Sequence, residues 1–167
     1  MDLFTQANRF ISIETPLGND KLLLTTFHGA EKISEPFNFT LVVLSTDLAI
    51  KPDTLIGKEI TVTIHERSKK VFHGFVSRFT VGDVQSHNMR QYTLTMVPWM
   101  WFLQRTEDRR IFQNKDTKEI LKAVFDDLGF SDYDIQANGG KKREYCVQYG
   151  ETDFDFVSRL MAEDGFT

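Results

Sequence analysis

Along the first hundred or so residues, apolar and polar positions alternate with the period of two that puts successive side chains on opposite faces of a strand. Phe37, Phe39, Leu41 and Val43 share one parity, and Asn38 and Thr40 take the other. Ile60, Val62 and Ile64 alternate with Thr61 and Thr63. Val71, His73, Phe75, Phe79 and Val81 share a parity, as do Tyr92, Leu94 and Met96. The connectors Glu66–Lys70 and Gly82–Asn88 are polar and short enough for hairpins, so this stretch reads as an antiparallel meander. Apolar runs at Phe10–Ile13 and Leu22–Phe27 predict two further strands. Five or six short strands must cover their edges, and a closed or nearly closed antiparallel barrel does so most economically; a sandwich is the alternative.

After Pro98 the period becomes helical. Asp116 is placed as an N-cap with Glu119 at the capping-box position, and Ile120, Leu121, Val124, Phe125 and Leu128 form one stripe that Gly129 ends. Tyr133–Gln136 and Glu144–Gln148 read as short strands around a Gly139–Arg143 turn. A second helix starts at Thr152, with Phe156, Val157, Leu160 and Met161 as its stripe and Gly165 as its C′ glycine. The predicted fold is therefore mainly β within an α+β chain. Residues 1–104 form an antiparallel β-barrel. Residues 105–167 begin an α+β domain with a helix at about 116–128, a hairpin at about 133–148 and a helix at about 153–164. Two helices and a hairpin do not close a core, and Phe166 reads as the beginning of another strand, so the expectation is a piece of a longer protein, truncated inside its second domain.

Composition narrows the function classes. With 41% hydrophobic and 26% charged residues the 167-residue chain is globular, and neither a disordered tail nor a disulfide scaffold. Fifteen phenylalanines point to aromatic-rich packing rather than hydrogen-bonded recognition. A net charge of -4 gives no positive field to collect nucleic acid or an anionic membrane. The N-terminus lacks the basic and apolar regions of a signal peptide, and no apolar run is long enough to span a bilayer. The expectation is a chain made in the cytoplasm that stays soluble, with the sequon Asn38-Phe39-Thr40 a coincidence.

Candidate chemistry is thin. His28, His65, His73 and His87 have no zinc-ligand spacing; His73 reads as a hydrogen-bonded histidine at the barrel wall, and Cys146 as a small packed hydrophobe. Glu151, Asp153 and Asp155 suit the first turn of a helix better than a calcium loop. Gly139-Gly140-Lys141-Lys142 lacks the spacing and context of a phosphate loop, and no nucleophile elbow or triad occurs. The expectation is no enzyme: no catalytic, cofactor-binding or metal-binding residue, and no cofactor.

The same runs resemble a family. Pro36-Phe37-Asn38-Phe39 leading to Leu44-Ser45, then Leu55-Ile56-Gly57-Lys58, then His73-Gly74-Phe75-Val76-Ser77 are similar to the N-terminal signature of VgrG proteins. So are Pro98-Trp99-Met100-Trp101-Phe102-Leu103 with Arg110-Ile111-Phe112-Gln113-Asn114-Lys115 and Glu119-Ile120. The second hallmark is Arg143 to Tyr149, Glu151 to Phe156, and Ser158 to Gly165. The resemblance covers essentially the whole chain, in order. It implies the N-terminal hub region of the spike of the bacterial type VI secretion system, similar to contractile phage baseplate hubs. That family forms homotrimers whose paired barrels match the Hcp tube hexamer. A β-helical needle follows in sequence, tipped by a PAAR protein, and some members carry effectors. The protein would leave the cell through the type VI apparatus, without membrane insertion by this segment and without nucleic acid.

Two alternatives accompany this reading: a baseplate hub of a prophage or related contractile injection particle, and the delivery module of a toxin whose catalytic domain lies far downstream. An independent hydrolase or carbohydrate-binding domain has no residue constellation behind it. The segment alone is expected to be monomeric or weakly associated, which light scattering checks.

Overall fold

The computed structural model describes residues 4–131, 133–136 and 140–165, and the chain divides into two compact units, Met1–Pro98 and Trp99–Thr167. Strands β1 (Ile11–Glu14), β2 (Leu23–Lys32), β3 (Glu35–Ser45), β4 (Glu59–Ile64), β5 (Lys70–Gln85) and β6 (Met89–Val97) make one antiparallel sheet in the order β1-β4-β5-β6-β3-β2. This single sheet curls into a half-barrel, and the β4–β5–β6 meander is present as read.

Alternation gives the sheet its buried face. The inward parity of β3 and β6 supplies Leu41, Val43, Tyr92, Leu94 and Met96, all fully buried. The phenylalanine surplus finds its place at the same core. Phe27, Phe39 and Phe72 meet at centroid distances of 4.8–5.4 Å, and Phe37 lies 4.9 Å from Phe39. Tyr92 is the buried aromatic with a polar handle: its hydroxyl donates to the Asp47 carbonyl at 2.8 Å and tethers the loop after β3.

One face assignment is corrected. Phe72, not Val71 or His73, packs on the core, while Val71 is half exposed. A register shift between Val76 and Arg78 then reverses the parity, so Phe79 points inward beside Tyr92 at 5.3 Å. A bulge breaks strict period two, and counting parity through it assigns Val71 and Phe79 to one face.

In the second unit a 3₁₀ turn at Trp99–Gln104 leads to β7 (Glu107–Lys115), α1 (Thr117–Asp127), β8 (Arg143–Thr152) and α2 (Asp153–Glu163). The capping box of Asp116 and Glu119 is formed, and Thr152 caps α2 by accepting the Asp155 N–H at 3.0 Å. Leu103, Ile120, Val124, Phe156, Val157 and Leu160 are fully buried in its core.

The hairpin expected at 133–148 is not formed. Residues 133–136 carry no strand, and β8 pairs antiparallel with β7, from Glu107↔Thr152 to Lys115↔Arg143. Of the turn between the two predicted strands, Gly139 lies outside the described residues, as does Phe166. Tyr133 is instead held by its side chain, packing on Phe125 at 5.0 Å and donating its hydroxyl to Asp126 at 2.7 Å.

Candidate functional site

The sharpest polar feature lies inside the second unit, where β7, β8 and the start of α2 converge. Asp153 is fully buried at the first position of α2. Its carboxylate accepts from Arg110 Nη1 at 3.2 Å, Gln148 Nε2 at 2.7 Å and Thr106 Oγ1 at 2.5 Å. Arg110 also pairs with Asp127 at 2.8 Å and Asp108 at 2.9 Å. A buried carboxylate is tolerable only when paired and hydrogen-bonded, and here the donors come from two distant stretches of chain, Thr106 with Arg110 and Gln148. Arg143 ties the start of β8 to the end of α2 through Glu163 at 2.6 Å and Asp164 at 3.2 Å, and Asp164 in turn accepts from Thr117. In both networks guanidinium groups face carboxylates, and the buried Arg143 Nε and Gln148 Oε1 are left without a hydrogen-bond partner among the described residues. They hold β7, β8, α1 and α2 together.

The residues singled out from sequence are dispersed. His65 Nε2 lies 2.9 Å from Ser12 Oγ, and His73 Nδ1 lies 3.0 Å from Thr61 Oγ1, so His73 is hydrogen-bonded at the outer wall. His28 is exposed on β2, and His87 sits at φ 62° between β5 and β6. Cys146 is buried among Phe112 and the helices, and burial pushes its thiol up, with Arg143 and Arg159 pulling weakly the other way. Of the acidic trio, Asp155 joins the α2 cap and Glu151 pairs with Arg159 at 2.6 Å. Asp153 is the ion-network centre that sequence reading treated as helix electrostatics. Among the described residues no group of three or more His, Cys, Asp or Glu could hold a metal ion. No helix among them is long and apolar enough to cross a membrane.

Tyr133 supplies a pH test. The hydrogen bond to Asp126, with burial and the carboxylate's charge adding to it, pushes the phenol up from 10.0 to about 12. A group whose folded pKa is raised contributes stability that is fully present below its unfolded value and lost as pH climbs through the folded one. The difference in phenolate absorbance between the protein and its Tyr133→Phe variant is therefore expected to titrate near 12, and Asp126→Asn to return it towards 10. A Tyr133 titration already near 10 in the unaltered protein would refute the contact.

What remains is surface. The β7–β8 sheet covers the helices with Arg110, Phe112, Cys146 and Gln148. Its other face presents Arg109, Ile111, Tyr145 and Tyr149, with Tyr149 77% exposed and the Arg109 guanidinium 5.5 Å from its ring. Charge is divided unevenly. The first unit has ten acidic and ten basic residues, and the second has fourteen acidic and ten basic, so the whole net charge of -4 sits in the second.

The runs that carried the family resemblance are structural in place. Trp99 packs on Phe125 and Phe130, each at 4.9 Å, and Leu103 is fully buried. Arg110 and Phe112 face the second unit's interior. Gly74 lets β5 approach β6, since a Cβ there would lie 2.6 Å from the Val97 carbonyl oxygen.

Comparisons with known proteins agree with this placement. The sequence profile of the phage tail baseplate hub (GPD) family matches residues 30–167. The type VI secretion system spike protein VgrG1c of Pseudomonas aeruginosa is 41% identical over 166 residues, covering 98% of this chain and 23% of that protein. The chain thus spans less than a quarter of the length of this relative and of its paralogue VgrG1b. Among solved structures, Escherichia coli c3393 superposes with a TM-score of 0.80 at 24% identity, over 91% of this chain and 43% of that one. It is described as a type VI secretion component with structural similarity to the T4 tail proteins gp27 and gp5. The 43 kDa tail protein of prophage MuSo2 from Shewanella oneidensis shares the fold at a TM-score of 0.65 and 17% identity, over 93% and 50% of the two chains. The chain belongs to the phage tail baseplate hub family, and its similarity to the VgrG spike proteins runs through nearly all of its length.

Proposed function

We propose that this chain is the N-terminal hub region of a type VI secretion spike, a structural part that in the complete protein trimerises and seats the needle on the Hcp tube. The observation that carries the reading is the 41% identity to a spike protein over 98% of the chain. The folded interior suits such a role, because its polar groups are spent on holding β7, β8 and α2 together. The affinity of a ring for a tube comes from many repeated contacts rather than one deep pocket. Residues 1–104 act as the tube-forming barrel, and residues 105–167 open the next domain. PAAR tip proteins and effectors engage parts of the protein beyond this segment, and the segment itself performs no turnover. The assembled spike leaves the cell through the apparatus it belongs to.

Deleting the coding region for this segment from its gene tests the proposal. Loss of Hcp from the culture supernatant, restored by the intact gene, is the expected result; unchanged Hcp release would overturn it. The match to the phage hub family and the shared prophage tail fold favour one second reading, a hub of a prophage or related injection particle. In that case the deletion abolishes particle formation and leaves secretion intact.

A further inference from the structure

We propose that the seam between β1 and β2 is the line along which the first unit opens, and that Gln6 is its latch. The inner strands of the sheet are held by backbone ladders on both sides, whereas β1 and β2 are the two ends of the order and each is laddered on one side only. The curl brings these ends beside each other, yet among the described residues no backbone ladder joins them. A strand edge left this way presents N–H and C=O groups that must find partners or water.

One side chain supplies them. Gln6 Oε1 accepts the N–H of Ile13 at 2.9 Å and of Leu24 at 3.3 Å, and Gln6 Nε2 donates to the Ile13 carbonyl at 3.1 Å. Arg9 Nη1 donates to the Leu24 carbonyl at 3.4 Å. The primary amide of Gln6 thus meets Ile13 as a neighbouring strand's peptide would, and it is buried, at 8% exposure. The segment that carries it is itself lightly anchored: the Gln6 N–H donates to Asp20 Oδ1 at 2.8 Å, and Thr5 Oγ1 to Asp20 Oδ2 at 3.1 Å.

Elsewhere in the sheet, separating two strands breaks a backbone ladder, of four paired residues between β1 and β4 and of six or more in every other pair. Along the seam, withdrawing one side chain frees the backbone groups of both edges at once. The seam is therefore the opening of lowest free energy in this unit. It lets the sheet relax its curvature while every strand pair stays intact.

Native-state hydrogen exchange on the chain decides this. The Ile13 and Leu24 amides are expected to exchange together, at least about tenfold faster than those of Leu94 and Met96 at the sheet's centre. Gln6→Ala is expected to speed the first two roughly ten- to hundredfold further, because two buried N–H groups lose their acceptor, while Leu94 and Met96 change less than about twofold. The proposal fails if Ile13 and Leu24 exchange only with Leu94 and Met96 in the unaltered chain, a comparison that needs no variant. It also fails if Gln6→Ala accelerates all four amides equally.

Discussion

Replacing Asp153 by alanine is expected to destabilise the second unit by about 3–5 kcal/mol, the range for breaking a buried ion pair from one side. Arg110 would keep Asp108 and Asp127 but lose its only fully buried partner, and Gln148 and Thr106 would each lose an acceptor in a site with little access to water. The measurement is selective, because both tryptophans, Trp99 and Trp101, lie in the second unit. A urea transition followed by tryptophan fluorescence reports that unit. Removing both charges at once, Arg110→Met with Asp153→Leu, should recover much of the loss, since a packed apolar pair avoids the desolvation of both ions. An unchanged midpoint for Asp153→Ala would show that the network contributes nothing.

In the first unit a large loss is expected from adding a methyl group to an inner strand. Gly74→Ala would place its Cβ 2.6 Å from the Val97 carbonyl oxygen and 2.9 Å from Met96 Cγ, with Phe37 Cζ at 3.3 Å behind them. The first of these is backbone in a laddered strand, so relief requires β5 and β6 to part. Overpacking of this kind costs about 1–3 kcal/mol, and a buried inner strand belongs at the top of that range. Gly82→Ala on the same strand is the control. Its Cβ would meet the Gln91 carbonyl oxygen at 3.0 Å, beside the register shift near the turn that joins β5 to β6, and a smaller loss is expected. Far-ultraviolet circular dichroism on thermal unfolding checks both; equal losses would remove the steric argument.

These two sites also mark where the sequence was readable. Alternation located β3, β4 and β6 because their buried residues are apolar and regularly spaced, and the capping box located α1 because its two members lie within one turn of sequence. Strand β7 was missed: Glu107-Asp108-Arg109-Arg110 shows no apolar alternation, and its inward-facing Arg110 is neutralised by Asp153, which is 43 residues away. A charge buried by a distant partner leaves no local periodicity. The strand expected at 133–136 failed for the converse reason, since Tyr133 and Ile135 pack on the second unit's core from irregular backbone. Gln6 was silent as well. Nothing distinguishes one glutamine from another until the sheet's two ends are brought to its side.

The unequal division of charge between the units has a practical consequence for assembly. A surface with balanced charges answers weakly to ionic strength, whereas a net-negative one is screened within about 10 Å at 0.1 M salt. Contacts made through the first unit should therefore survive a salt wash, and contacts made through the second should weaken when the partner is basic and tighten when it is acidic. Salt concentration alone can then sort which half of this chain a given neighbour holds.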